Sequence, residues 1–253
     1  MRHRVFISPS DQTANTYAGG GTTEAIQCGK IGIATKAALE QCGFEVMLLQ
    51  YATMAEKCAA SDAFGAELHM PIHSNGFNKK VTGTRIFYGH DGSEGHRAAK
   101  AIIARLGPVT PGSPDMVQAY PALYEIRVPK APTAYIEADF HDVEAVADWI
   151  VDNTMEIAVE ICKGVCDYFG VEYIAEFEMP CRMLEFEELL RMHEKALEDN
   201  DAGAWSEEAR QWAIREGIVN GIGSLEDGTP NYAWEAHVTR EQMVTMLYRA
   251  IGG

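Results

Sequence analysis

The chain is predicted to fold as an α/β domain, an open, mostly parallel sheet flanked by helices, followed by a small all-helical C-terminal domain. Three observations predict it. Short apolar runs alternate with amphipathic stretches over about the first 170 residues, the pattern of βα units with largely parallel strands. Composition then shifts after Tyr173 to a stretch rich in Glu and Met. The last fifty residues read as two helices around a loop.

Val5 to Ile7 is apolar and leads to Pro9, which reads as a first buried strand. Ser10 to Thr23 is small and polar, a loop whose most flexible part is Gly19-Gly20-Gly21. Thr22 or Thr23 caps a helix that opens at Glu24, carries Ile26, Ile31, Ala34 and Leu39, and stops at Gly43. Strands are expected over Glu45 to Leu49, Ala66 to Ile72 and Gly83 to Tyr88, with a helix over Ala52 to Phe64. Ser93 to Leu106 gathers Ala98, Ile102, Ile103 and Leu106 on one side of a helix. Leu123 to Arg127 and Thr133 to Ile136 read as further strands, split by the Pro-rich run from Val128 to Pro132. Asp142 to Phe169 repeats apolar residues at helical spacing and reads as one long helix. These elements bound a first domain at residues 1–175, an acidic helix and linker at 176–203, and a small module at 204–253. In the module, helices are expected over Trp205 to Gly217 and Thr239 to Ala250, with Thr239 as N-cap and a loop over Gly221 to Ala236.

The 253 residues carry a net charge of -16, and residues 172–253, with 17 acidic and 7 basic side chains, supply -10 of it. Such acidity argues against a nucleic-acid partner, because few cations are present to displace counterions from a phosphate backbone. None of the six cysteines is spaced C-x-x-C, so they read as reduced, mostly buried thiols. The N-terminus goes straight into a strand without an apolar signal-peptide core, and no segment reaches transmembrane length. Synthesis in the cytoplasm without a signal peptide, and no membrane insertion, are the expectations.

The chemistry gathers around Ile72-His73-Ser74-Asn75-Gly76. His73 follows an apolar strand, where an open α/β sheet places its ligands. Glu24 opens a helix, and Glu137 follows the strand Tyr135-Ile136. Taken alone, His73 reads equally as a loop-bonded histidine, and Glu24 as an acid favoured by the helix N-terminus. Glu137 is harder to explain structurally, since burial at a strand end would raise its pKa toward general-base work. Together, two carboxylates and an imidazole on one sheet edge suggest a metal-dependent hydrolase. His69 makes H-x-x-x-H with His73, but on a strand the two rings stand roughly 13 Å apart, so His69 belongs to the core or behind the site. No G-x-S-x-G surrounds Ser8, Ser10 or Ser74, and no G-K-[ST] follows the glycine triplet.

At these residues the chain resembles the zinc-dependent N-acetylmuramoyl-L-alanine amidases of cell-wall remodelling and phage lysis. The likeness covers roughly residues 3–171 and rests on Thr23-Glu24, Ile72-His73-Ser74-Asn75, Gly83-Thr84-Arg85-Ile86-Phe87-Tyr88 and Ile136-Glu137. It implies one Zn2+ per chain held by Glu24, His73 and a ligand from the loop after the first strand, with Glu137 as catalytic carboxylate. The implied reaction is hydrolysis of the amide between N-acetylmuramic acid and L-alanine of bacterial peptidoglycan. Asn75 is expected to orient the substrate or brace its loop. The family's usual histidine after the first strand is missing, since none lies between His3 and His69. Asp11 takes its place by counting, with Gln12 beside it, and the third ligand stays open between them, a water and an unexpected group such as His69.

The tail resembles a single surface-layer homology module, at Trp212-Ala213, Gly217 to Gly221, Thr239 to Gln242 and Leu247 to Arg249. That likeness implies a cell-wall glycopolymer as partner, contacted near Pro230-Asn231-Tyr232, or homo-oligomerisation through this region. A phage or prophage endolysin, or an autolysin, acting at the bacterial wall after holin-type release, fits both likenesses. The alternatives are a catalytically impaired wall-binding protein on the same fold and a metal-dependent amidase for another N-acyl amino acid or peptide.

Overall fold

The computed structural model describes residues 2–174, 202, 204–225, 228–234 and 240–251. The chain divides into two compact units, Met1–Glu178 and Met179–Gly253. The first unit runs β1 (Arg4–Pro9), α1 (Glu24–Gln41), β2 (Glu45–Leu48), α2 (Met54–Phe64), β3 (Leu68–Asn75) and β4 (Arg85–Tyr88). It continues through α3 (Glu94–Leu106), β5 (Met116–Ala119), α4 (Tyr124–Arg127), β6 (Tyr135–Phe140), α5 (Glu144–Asp152) and α6 (Thr154–Phe169). The sheet order is β2-β1-β3-β6-β4-β5. Its neighbours are parallel except for β4 against β6.

Alternation along the strands sorts the side chains by face. Val5 and Ile7 of β1, Leu68, Met70 and Ile72 of β3, and Ile136 and Ala138 of β6 share a core with Ile31 and Leu39 of α1, Ile102 of α3 and Ile161 of α6. At Gly164 the helices α3 and α6 approach so closely that an added Cβ would lie 2.4 Å from the Ile102 Cα. The opposite face mixes aromatic with polar side chains. Phe6 is in register with His69, and His73 with Glu137. Helix starts follow the capping logic: the Thr23 side chain accepts from the Ile26 N–H, and Thr53 and Glu56 form a reciprocal capping box. Gly65 ends α2 at φ 66°, a left-handed conformation that suits glycine.

Several expected elements change. Leu123 to Arg127 is not a strand. Residues Tyr124–Arg127 form the helical turn α4, because the N–H groups of Arg127 and Val128 bond back to Leu123 and Tyr124 while Glu125 and Ile126 turn inward. Met116–Ala119 is a strand instead, paired parallel to β4 at the sheet edge. The long helix from Asp142 divides into α5 and α6 at Asn153, whose φ of -114° is not helical.

The C-terminal unit is not all-helical. A 3₁₀ turn at Ala204–Ser206 leads into α7 (Glu207–Arg215), and α8 spans Arg240–Ile251. Between them, β7 (Gly223–Ser224) and β8 (Pro230–Asn231) pair antiparallel in a two-stranded sheet. The hairpin forms because Gly228, at φ 82°, lets the chain reverse. The Ile222 N–H then reaches the Asn231 carbonyl, and the Leu225 N–H the Thr229 carbonyl. Tyr232 stacks on Trp234, which Arg210 also approaches. The expected acidic helix and the Thr239 cap fall outside the described residues. Among the described residues no helix is long and apolar enough to cross a membrane.

Candidate active site

The parallel strands β1, β3 and β6 end along one edge of the sheet, and the loop after β1 is pinned to it. The Ser10 N–H bonds the Ile72 carbonyl, the Ala18 N–H bonds the His141 carbonyl, and the Glu24 N–H bonds the Asn15 carbonyl. Glu24, the first residue of α1, is thereby brought over the end of β3. Its Oε1 lies 2.8 Å from His73 Nδ1, and Asn15 donates from Nδ2 to its Oε2 at 2.7 Å. Both Glu24 and His73 are buried. The Tyr135 ring stacks on His73 with centroids 4.7 Å apart.

Glu137 is the register partner of His73 on the neighbouring strand, so the two side chains leave the same face side by side. Glu137 is only partly covered, yet its Oε2 is enclosed and has no hydrogen-bond partner. Burial raises its pKa from the ordinary 4.5 to about 7, a shift that His73 opposes and Glu24 reinforces. Burial would also raise Glu24, but the hydrogen bond with His73, its charge and the bonds from Asn15 and Ser10 hold that carboxyl below its ordinary range. For His73 burial acts downward, and the hydrogen bond to Glu24 with the nearby carboxylates outweighs it, leaving the imidazole raised. One edge therefore holds an ion pair and a carboxyl poised between its two protonation states.

The two residues considered for the third ligand part company. Both are exposed, and Asp11 lies 3.5 Å from Lys57 Nζ. Gln12 Oε1 accepts from Asn15 Nδ2, so Asn15 bridges Gln12 and Glu24. Asn75 Oδ1 accepts the Gly76 N–H, which ties its side chain to the turn after β3. His69 is fully buried on β3 and lies 3.2 Å from Glu125 Oε1, to which Ser8 also donates at 2.6 Å.

Several contributors gave no sequence signal. Glu125 is hidden in a segment whose apolar pattern reads as a strand. Asn15 is one polar residue in a polar loop. Tyr17 stacks on His141, and both meet Ser74, the residue after His73. These contacts join residues far apart in the chain, which local pattern does not report.

The donors at this edge suit zinc: imidazole nitrogen, carboxylate oxygen and an amide oxygen, beside the enclosed, unpartnered oxygen of Glu137. These atoms do not converge as a ready-made metal cluster. The one such grouping among the described residues is Cys42, Cys162 and Cys166. Cys42 caps the far end of α1 from Glu24, about 27 Å along an 18-residue helix, so the cysteines are not part of this edge.

The same fold occurs in solved amidases. The chain is similar to the catalytic domain of CwlV, an N-acetylmuramoyl-L-alanine amidase from Bacillus (Paenibacillus) polymyxa var. colistinus, with 17% identity and a TM-score of 0.61 over 67% of this chain and 99% of that one. It is also similar to Cwp6 from Clostridium difficile, with 21% identity and a TM-score of 0.60 over 66% of this chain and 29% of that one. The catalytic domain of the CD27L endolysin targeting Clostridia difficile aligns at 19% identity and a TM-score of 0.56, over 66% of this chain and 98% of that one. No curated protein is detectably similar in sequence. Residues 8–167, more than half of the chain, match the family described as N-acetylmuramoyl-L-alanine amidase. The chain belongs to that family.

Proposed function

We propose that the protein is a zinc-dependent amidase that hydrolyses the bond between the lactyl group of N-acetylmuramic acid and L-alanine in bacterial peptidoglycan. The observation that carries this reading is Glu137, with its enclosed oxygen, in register beside a His73 already held by Glu24. Glu24 and His73 would hold the zinc. Gln12 is the preferred third donor, because Asn15 links it to Glu24 while Asp11 is engaged by Lys57. When bound, zinc polarises the scissile carbonyl and lowers the pKa of water.

The chain's own groups carry the proton traffic. Glu137 takes the proton of the attacking water as the new C–O bond forms, then delivers it to the L-alanine nitrogen as the C–N bond breaks. A carboxyl titrating near 7 is present in both the accepting and the donating form at neutral pH. Tyr135 fixes the His73 ring by stacking, and Asn75 braces the turn that faces the substrate.

The first domain, 1–175, is then the catalytic unit, 176–203 the connecting segment and 204–253 a wall-targeting module of surface-layer-homology type. Met243, Val244, Leu247, Tyr248 and Ile251 of α8 are exposed apolar side chains at helical spacing, which supports self-association through this unit. An endolysin-like role at the bacterial wall, after cytoplasmic synthesis and release through a partner's membrane pore, accommodates both units.

The test is metal content by plasma mass spectrometry together with release of new L-alanine amino termini from purified peptidoglycan. About one zinc per chain with chelator-sensitive release is expected. No metal and no release after zinc addition would favour a second reading, a wall-binding protein on an amidase fold. The pairing of Asp11 with Lys57, at the place of the family's usual histidine, is what favours that alternative.

A further inference from the structure

Away from the active-site edge, three cysteines converge from two elements. Cys42 caps α1, and Cys162 and Cys166 lie one turn apart on α6, so both project from one helix face. The three sulfurs lie within 4.8 Å of one another, and the Cys42 and Cys162 sulfurs are 3.9 Å apart. All three residues are buried and none is in a disulfide. Single buried thiols are common packing groups, and Cys28 and Cys58 are of that kind. Three meeting at one point form a ligand set.

The chemistry of the set selects its ligand. Thiolates prefer soft ions, copper(I) and zinc among them. Zinc in a closed protein site takes four ligands, and the described residues offer these sulfurs no imidazole or carboxylate to complete four. The Ile174 N–H points at Cys42 Sγ from 3.5 Å, a donor rather than a metal ligand. The carbonyl end of α1 places partial negative charge at Cys42, which favours a cation. The charged groups of the surrounding α6 turns are Glu160, Lys163 and Asp167, of which Lys163 pairs with Glu160 and Asp167 with Arg105. Ile174, which meets Cys42 through its N–H, is 45% exposed, so the Cys42 end of the cluster lies near the surface.

We propose that Cys42, Cys162 and Cys166 form a three-sulfur site for a soft monovalent cation, copper(I). The site is separate from the catalytic edge and does not depend on the amidase reading.

The full chain, reduced and freed of metal, would be titrated under argon with copper(I) carried by a chromophoric chelator. One copper per chain should leave the chelator, a near-ultraviolet thiolate-to-copper band should appear, and X-ray absorption should report sulfur neighbours alone. Cys162→Ser should abolish the band and weaken competition with the chelator by at least about tenfold. Cys42→Ala, at the rim of the cluster, provides a second variant should Cys162→Ser fail to fold, and circular dichroism checks both. Cys28→Ser, Cys181→Ser and His73→Ala should each retain the band. Copper bound through nitrogen, copper retained by a folded Cys42→Ala or Cys162→Ser chain, or no uptake by the folded wild type would each overturn the proposal. So would zinc displacing copper from these sulfurs.

Discussion

Replacing Glu137 with glutamine perturbs the proposed enzyme in two opposite directions. Turnover should fall, because an amide cannot accept the water proton; general-base loss is worth roughly 10²–10⁴-fold. Stability should respond with a pH dependence whose sign the structure fixes. The Glu137 pKa is raised from 4.5 to about 7 on folding. A raised carboxyl imposes no penalty below 4.5, an increasing one up to about 7, and a constant one above. Between about pH 5 and about pH 8 the wild type should therefore lose up to about 2.5 kcal/mol relative to a variant that does not titrate there, at about 1.36 kcal/mol per pKa unit. Partial exposure of the side chain lowers the expected figure to roughly 1–2 kcal/mol through solvent screening.

The glutamine also places an N–H₂ where Oε2 has no partner, a pH-independent cost of about 1–3 kcal/mol. The quantity to read is consequently the change between the two pH values, not the offset at either. Urea unfolding of both proteins, with chelator present to exclude metal, measures it. A difference that stays flat with pH would show that Glu137 is not desolvated as described. Retained amide hydrolysis would remove it from the reaction.

His73→Ala should lose both bound zinc and turnover, and Gln12→Ala should weaken zinc by about tenfold or more, whereas Asp11→Ala should leave zinc content near wild type; metal analysis after dialysis separates the three. Lys57 is buried and donates to the Pro9 carbonyl while facing Asp11, so Lys57→Met should destabilise the fold by about 1–3 kcal/mol in urea melts; an unchanged midpoint would remove Lys57 as the anchor of this loop. Burial pushes Glu125 up, but hydrogen bonds from His69 and Ser8 hold it below 4.5. Its contribution is present above 4.5 and lost as pH falls through the lower folded value, so Glu125→Gln should flatten the decline of melting temperature below about pH 4.5.

The sheet was legible wherever strands are long and buried, because Val5 to Ile7 and Leu68 to Ile72 carry more apolar residues than a loop can hide. So was the placement of His73, Glu24 and Glu137 near strand and helix ends, since an apolar run followed by a polar residue marks such an end. The failures share one cause, short range. Tyr124–Arg127 has too few residues to distinguish a helical turn from a strand. The two-residue strands Gly223–Ser224 and Pro230–Asn231 have no periodicity at all. The hairpin is determined by Gly228 and by backbone bonds to Asn231 and Thr229, which a residue pattern does not display. Asn15 and Tyr135 act through partners 9 and 62 residues away. Their roles exist only once β1, β3 and β6 are aligned.

Alignment of those strands also determines how little negative charge the proposed donors would bring to a metal. Asp11 is paired with Lys57, and Gln12 is neutral. Of the candidate donors, Glu24 alone would then bring an uncompensated negative charge to a dication, and it would first have to release His73. A zinc held by so little ligand charge would stay strongly positive, and that excess would act on Glu137, the adjacent carboxyl with an unpartnered oxygen. Under the proposed zinc chemistry, metal binding and Glu137 ionisation would be linked: each proton released from His73 or Glu137 would favour the metal, and the metal would lower the pH at which Glu137 becomes a base. A histidine at position 11 would add a donor but no charge, so it would tighten the metal without weakening this coupling. On the proposed reading, pairing Asp11 with Lys57 would cost zinc affinity, while the electrostatic pressure on Glu137 would be kept.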